Sequence, residues 1–177
     1  MNKSKKPIHI INVPLDLGAS RRGTDAGPSA FRVARLGRSI RSLGFKISNE
    51  TDIAVPAMET RRTSDTRARF KDEILEVCVE LAHHTQTAHE TGDWPLVRGG
   101  DPSSAMGTVS GISAHLRKSE QPLGLIWFDA HGDFNLPGSS PSGNIHGMPL
   151  AHLLGYGDED LSSILDMNPA VTPDNVV

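Results

Sequence analysis

Asp129, His131 and Asp133 stand at alternate positions directly after the apolar run Leu125-Ile126-Trp127-Phe128. Side chains alternate across an extended strand, so the three project to one side as long as extended geometry persists. Left unpaired in a partly desolvated place, each charged group would carry a penalty of several kcal/mol. A divalent cation cancels it. Two carboxylates with one imidazole are hard to borderline ligands, suiting manganese first, with zinc, iron or magnesium behind it. Such an ion would lower the pKa of a coordinated water toward neutrality and make hydroxide available as a nucleophile. The plain alternative is a solvated loop with a satisfied histidine, and spacing alone does not separate the two.

The residues that follow add chemistry of a different kind. Asn135 and the loop Gly138-Ser139-Ser140-Pro141-Ser142-Gly143-Asn144-Ile145-His146-Gly147 are dense in small and hydrogen-bonding side chains. Such a loop can wrap a polar substrate above a metal, with Asn135, Ser142 and Asn144 as donors and acceptors and His146 as a proton carrier. An ordinary glycine-rich surface loop is the competing reading.

Strands and helices alternate along the chain, which favours a parallel sheet flanked by helices. Ile8 to Val13 is a β-branched run halted by Pro14, hence a first strand. A Gly- and Arg-rich loop, Gly18 to Gly27, follows it. Pro28 and Ser29 open a helix with Leu36, Ile40 and Leu43 on one face, ended by Gly44. A weaker strand falls near Lys46 to Val55. The longest helical pattern runs from about Asp65 to His89, with Phe70, Ile74, Val77, Cys78, Leu81 and Thr85 at spacings of three and four. His83, His84 and His89 read as solvated residues near its C-terminus, where a cation is welcome, and not as metal ligands. Trp94 to Arg98 is a short strand entering Gly99-Gly100-Asp101-Pro102-Ser103, and a small-residue helix spans Ser104 to about Leu116. The run from Leu125 reads as a buried strand at whose carboxyl end the ionisable residues face the crevice where open α/β sheets place ligands. A helix from about Pro149 to Leu154 follows. Asn175-Val176-Val177 reads as a strand barely begun, shorter than the usual five or six residues, which suggests a sequence cut inside a larger fold; a frayed terminus is the alternative.

With 177 residues the chain suits one domain. Its 18 Lys plus Arg against 21 Asp plus Glu argue against a polyanion binder, so neither nucleic acid nor a membrane surface is expected as a partner. The short Lys3-Ser4-Lys5-Lys6 tail is the one basic cluster. A single cysteine, Cys78, cannot form an intrachain disulfide, which points to a reducing, cytoplasmic setting. No apolar run approaches the ~20 residues of a membrane span.

The residues from Asp129 to Gly147, Asp-Ala-His-Gly-Asp-Phe-Asn through Ser-Gly-Asn-Ile-His-Gly, resemble the second metal motif and substrate loop of the arginase branch of the manganese ureohydrolases. Similarity extends to Arg22-Gly23-Thr24-Asp25-Ala26-Gly27-Pro28-Ser29-Ala30 and to Gly99-Gly100-Asp101, so it covers nearly the whole chain. The resemblance implies a three-layer αβα fold with a mainly parallel sheet. It implies two manganese ions: Asp129 would bridge them, His131 would ligate one, and Asp133 would ligate the other while holding the bridging hydroxide. Asn135, Ser142 and Asn144 would read the α-carboxylate of L-arginine, and His146 would shuttle protons to the leaving amine. The implied reaction is hydrolysis of the guanidinium to L-ornithine and urea in the cytoplasm, with room for a homo-oligomer.

Two departures accompany the resemblance. Where the family continues Gly-Gly-Asp with a manganese-binding histidine, this chain has Pro102, which has no donor atom. The family's third motif, with two further aspartate ligands, would lie beyond Val177. Three ligands of six remain, so impaired activity is expected, in a single arginase-like domain incomplete at its C-terminus. Two alternatives stay open: a non-catalytic fragment or partner subunit, and a metallophosphoesterase, whose motifs fit poorly when compressed between Asp129 and Gly147. Loss of later strands would also bare a sheet edge and an apolar face, so an isolated monomer is expected to be marginal or to aggregate unless a partner covers them.

Overall fold

The structure, a computed structural model, describes residues 5–63 and 65–177; half of the Lys3-Ser4-Lys5-Lys6 tail lies outside them. Strand β1 (Ile8–Val13) forms where expected and is buried along almost its whole length. Strands β2 (Ile47–Asp52) and β3 (Trp94–Gly99) flank it in a parallel sheet of order β2-β1-β3. Parallel neighbours need crossover connections. Helices α1 (Gly27–Val33) and α2 (Leu36–Ser42) provide the first, and α3 (Lys71–Glu90) the second.

Alternation along β1 divides its side chains between two faces. Ile11 and Val13 join Ile74, Val77 and Leu81 of α3 in the main apolar core. On the other face Asn12 lies beside Arg98 and Asp52. Arg98, 4% exposed, donates from Nε to Asn12 Oδ1 at 2.6 Å and from its guanidinium to Glu50, while Asn12 Nδ2 reaches Glu50 at 3.2 Å. Arg32 of α1 also contacts Glu50, at 3.2 Å. Burial pushes the Glu50 carboxyl up, but the bonds from Asn12, Arg98 and Arg32 outweigh it and hold the group below its ordinary range. One face is thus fixed by apolar packing and the other by a polar ladder through all three strands.

Helix α4 (Ser104–Arg117) lies along α3 at very close range. A Cβ on Gly107 would meet the Cys78 carbonyl oxygen at 2.4 Å, and one on Gly111 would meet that of Ala82 at 2.2 Å. Small residues at that spacing allow the two backbones to approach. Cys78 is fully buried there, its thiol donating to the Ser103 carbonyl at 3.3 Å and pushed by desolvation up to about 12, so it is inert.

Several sequence expectations require correction. The helix expected from Asp65 begins only at Lys71: Asp65 Oδ1 accepts the Arg67 N–H at 2.8 Å, and Phe70 takes a left-handed φ of 57°. A side chain that satisfies nearby backbone donors competes with the helix. The helix expected from Pro28 to Leu43 is broken at Arg35, φ 58°, and Leu43 is exposed. Among the histidines read as solvated, His83 is exposed, but His84 meets the His9 ring edge-on at 6.4 Å and His89 stacks on His115 at 5.3 Å. The largest correction concerns Leu125 to Phe128. This run is no sheet strand; it makes one parallel bridge, Leu125 with Val176, and Ile126 and Phe128 are 80% and 101% exposed.

Helix α5 (Pro149–Leu153) carries a fully buried histidine. His152 Nδ1 lies 2.9 Å from the Met148 carbonyl and Nε2 accepts the Asp158 N–H at 3.2 Å, so the ring is neutral with its proton on Nδ1. The accepting end caps the entry to α6 (Glu159–Ser162). Desolvation lowers the His152 pKa below the ordinary 6.5. The unfolded chain therefore takes up a proton first as pH falls, and this contribution to stability, complete above about 6.5, is lost as pH drops toward the depressed folded value. We expect His152→Gln to destabilise by about 1–3 kcal/mol at neutral pH. Urea denaturation at about pH 7.5 and about pH 5.5 should also show a smaller pH dependence in the variant than in the parent.

Candidate functional site

The site is assembled from three chain segments at the carboxyl ends of β1 and β3. The Asp101 carboxylate, 2% exposed, accepts the Gly18 N–H through Oδ2 and the Ser103 N–H through Oδ1, each at 2.9 Å. It thereby ties the loop after β1 to the turn after β3. Burial raises its pKa, and the bonds from Ser103 and Gly18 oppose the rise. The loop after β1 in turn receives the Asn144 amide, whose Nδ2 donates to the Ala19 carbonyl at 3.0 Å.

The loop from Gly138 to Gly147 is anchored along its length. Asn135 N–H donates to the Gly147 carbonyl at 3.0 Å, and Leu150 N–H to the Asp133 carbonyl at 3.1 Å. Arg69 N–H donates to the Gly143 carbonyl at 2.9 Å. Ser142 Oγ accepts the Asn144 N–H at 3.2 Å. A surface loop with this many fixed ends is a structured wall. It encloses a cleft of about 600 Å³ lined by every residue singled out above: Asp129, His131 and Asp133 with Asn135, Ser142, Asn144 and His146, and Pro102 beside them.

Within the cleft, the three candidate ligands do not converge. Asp129 Oδ1 accepts the His131 N–H at 2.9 Å, a turn that ends the extended geometry on which their alternation depended. His131 is 84% exposed in its side chain, with Nδ1 3.7 Å from Asp129 Oδ1. Asp133 is buried, has a left-handed φ of 45°, and its Oδ2 has no hydrogen-bond partner among the described residues. Burial pushes its pKa up, the nearby Asp129 carboxylate adds to the rise, and His146 and His131 oppose it. The orphaned oxygen is the kind of atom a cation satisfies. Yet among the described residues no three His, Cys, Asp or Glu side chains come together as a metal would require, and Pro102 offers no donor. As arranged, these residues do not fit a two-ion centre.

The sequence reading missed several residues that build the site. Asp101 was visible only as part of Gly-Gly-Asp, although a buried acid between two loops is what a shared backbone clamp requires. The segment Thr66 to Arg69, assigned to a helix, instead backs the loop at Gly143. Phe134 lines the cleft and meets Tyr156, outside its lining, edge to face at 5.9 Å. No periodic signal marks such a pair.

Gly143 tests how rigid this wall must be. Its φ is +68°, and a Cβ there would lie 1.9 Å from the Thr66 carbonyl oxygen. Gly143→Ala is therefore strained in both conformation and space, and we expect a loss of about 1–3 kcal/mol. Thermal melting would measure the loss, and faster amide exchange at Arg69 would locate it.

Comparison with known proteins extends this picture over the whole chain. Residues 6–175 match the family model described as the arginase family. The arginase of Brevibacillus brevis is 44% identical over 177 residues, covering all of this chain and 57% of that protein. The native structure of Bacillus caldovelox arginase superposes with a TM-score of 0.89 at 42% identity, covering 97% of this chain and 56% of the other. The Entamoeba histolytica arginase, solved in complex with L-ornithine, gives 0.84 at 31% identity with the same coverage. The chain thus spans about half the length of these relatives. On the family match, the identities and the shared αβα fold, this chain belongs to the arginase family.

Proposed function

We propose that this chain contributes the substrate loop and part of the metal-facing wall of an arginase-type hydrolase, one that converts L-arginine to L-ornithine and urea. The observation that carries this reading is the meeting of Asn135, Ser142, Asn144 and His146 with the buried Asp133 in a single cleft. Asn135 and Ser142 are exposed there, and their amide and hydroxyl donors suit the α-carboxylate of an amino acid. Asn144 has one amide hydrogen engaged by Ala19, which orients the rest of the group toward the cleft's polar contents. His146 stands in the field of Asp101 and Asp133, where an imidazole can carry a proton toward a leaving amine.

In the complete family site the metal chemistry is that of two manganese ions. Because the donors of this chain do not fit that centre as they stand, no hydrolytic step is assigned through Asp129, His131 and Asp133. We propose instead that they are a partial set, and that the 177-residue chain alone is inactive or nearly so. The lone buried cysteine agrees with a cytoplasmic setting, and among the described residues no helix is long and apolar enough to cross a membrane.

Urea release from L-arginine by the purified chain with added manganese should not rise above the blank. Turnover in the ordinary enzymatic range, about 1–10³ s⁻¹, would overturn the expectation. Binding separates the substrate loop from catalysis. In ligand-observed NMR, L-arginine should bind in preference to agmatine, and Asn135→Ala with Ser142→Ala should abolish that preference. Equal binding of both ligands would remove the proposed role of the loop. Introducing Pro102→His should raise manganese affinity by calorimetry about tenfold or more, worth about 1.4 kcal/mol.

A further inference from the structure

The whole-chain balance of 18 cations against 21 acids conceals an uneven distribution. From Phe31 to Lys46 the chain carries five cations, Arg32, Arg35, Arg38, Arg41 and Lys46, and no acid. Arg32 is engaged by Glu50 and Asp52. Arg35, Arg38, Arg41 and Lys46 are exposed and make no ion pair among the described residues.

The fold brings the end of this run to the amino-terminal rim of the sheet, opposite the candidate site. Ile8 N–H donates to the Lys46 carbonyl and Trp94 N–H to that of Pro7, each at 2.8 Å, so Lys46, Pro7 and Trp94 stand side by side where β2, β1 and β3 begin. With strands about 4.8 Å apart, the row spans about 10 Å. Lys5 joins it: its ammonium donates to the Leu43 carbonyl and lies 4.5 Å from the centre of the Phe45 ring. Lys6, exposed, precedes Pro7. Among these cations Leu43 and Trp94 are large apolar side chains, 65% and 54% exposed. The nearby acids are occupied, since Asp93 accepts the Ser48 hydroxyl at 2.6 Å and Glu90 pairs with Lys118 at 2.5 Å. A helix dipole accounts for Arg41, in the last turn of α2. It accounts for neither Lys5, Lys6 and Lys46, which belong to no helix, nor the two bare apolar side chains.

We propose that this rim docks on an anionic phospholipid bilayer, with Lys5, Lys6, Arg41 and Lys46 among the headgroup phosphates and Leu43 and Trp94 at the acyl boundary. Cations beside exposed leucine and tryptophan make an interfacial surface, and an indole ring suits that depth because it is apolar with one polar edge. A nucleic-acid strand fits less well. It stacks on several aromatic rings in succession, and here Lys5 already occupies one face of Phe45, which leaves Trp94 alone. All 21 acids lie outside the run from Phe31 to Lys46, so the same bilayer repels much of the remaining surface and confines the contact to the rim. The candidate site, at the other end of the strands, then faces water. This inference is independent of the activity proposed above.

Vesicle flotation tests it, because bound protein rises with the lipid while aggregated protein sinks. The chain should float with vesicles of phosphatidylcholine mixed with phosphatidylglycerol and not with phosphatidylcholine alone. Salt at about 1 M, where the Debye length is about 3 Å, should release most of it. On a scale of about fivefold per cation, Arg41→Glu with Lys46→Glu should lower partitioning about tenfold or more. Lys6→Glu, at an exposed side chain outside every helix and strand, is the second variant and should lower it about fivefold or more. Binding should shift tryptophan emission to the blue, and Trp94→Ser should remove the shift. Flotation with neither vesicle, equal flotation with both, or charge-reversed variants that float like the parent would overturn the proposal. So would a single-stranded RNA oligonucleotide that binds the chain while the anionic vesicles stay bare, an outcome that assigns the same cations to nucleic acid.

Discussion

A buried carboxylate organises the carboxyl ends of the sheet. Asp101 accepts backbone N–H groups from Gly18 and Ser103, in segments that depart from different strands, and its own N–H donates to the Leu15 carbonyl at 2.8 Å. A carboxyl group held by two amides outweighs either bond alone, because leaving one amide unpaired in a desolvated place would carry the full penalty of that group. With Gly18 fixed, Ala19 presents its carbonyl to Asn144, and the loop from Gly138 to Gly147 has a fixed base. With Ser103 fixed, α4 starts in the position from which Gly107 and Gly111 reach the α3 backbone. Site and core therefore meet at one side chain.

The sheet shows the same economy of constraint on its other face. Arg98, Asn12 and Glu50 belong to three different strands and close a ladder that only one register satisfies. Slipping β1 by one residue would exchange Asn12 with Ile11 or Val13 and bury a guanidinium without a partner. Apolar packing against α3 tolerates small displacements; the ladder does not. The ladder fixes register, the core supplies most of the burial, and the strand ends that carry the site inherit their positions from both.

Elements whose stability is local were legible from the sequence. β1, β3, α4 and α5 appear within a residue or so of expectation, because β-branched runs, a glycine-glycine turn and small-residue periodicity decide them nearby in the chain. The failures share a different cause. Asp65 and Arg35 end or break helices through turn geometry that apolar spacing does not encode. The run from Leu125 to Phe128 has every compositional mark of a buried strand, yet a strand is defined by its neighbours, and here it has three residues of neighbour on one edge. Among the site residues, membership of one cleft was readable from spacing, since the loop from Asn135 to His146 closes on itself. The relative orientation of Asp129, His131 and Asp133 was not.

That last difference follows from the same missing neighbour. Alternation is a property of extended backbone, and extended backbone persists where a ladder on each side holds it. Past Trp127 no ladder bond among the described residues restrains the chain on either edge, and Asp129 accepts the His131 N–H two residues on. This local turn leaves the His131 side chain largely exposed and the Asp133 Oδ2 without a hydrogen-bond partner among the described residues. A second strand paired to Ile126 and Phe128 would compete with that turn by holding the backbone extended into Asp129. Extended backbone past Trp127 and the side-chain alternation of Asp129, His131 and Asp133 are thus one and the same requirement.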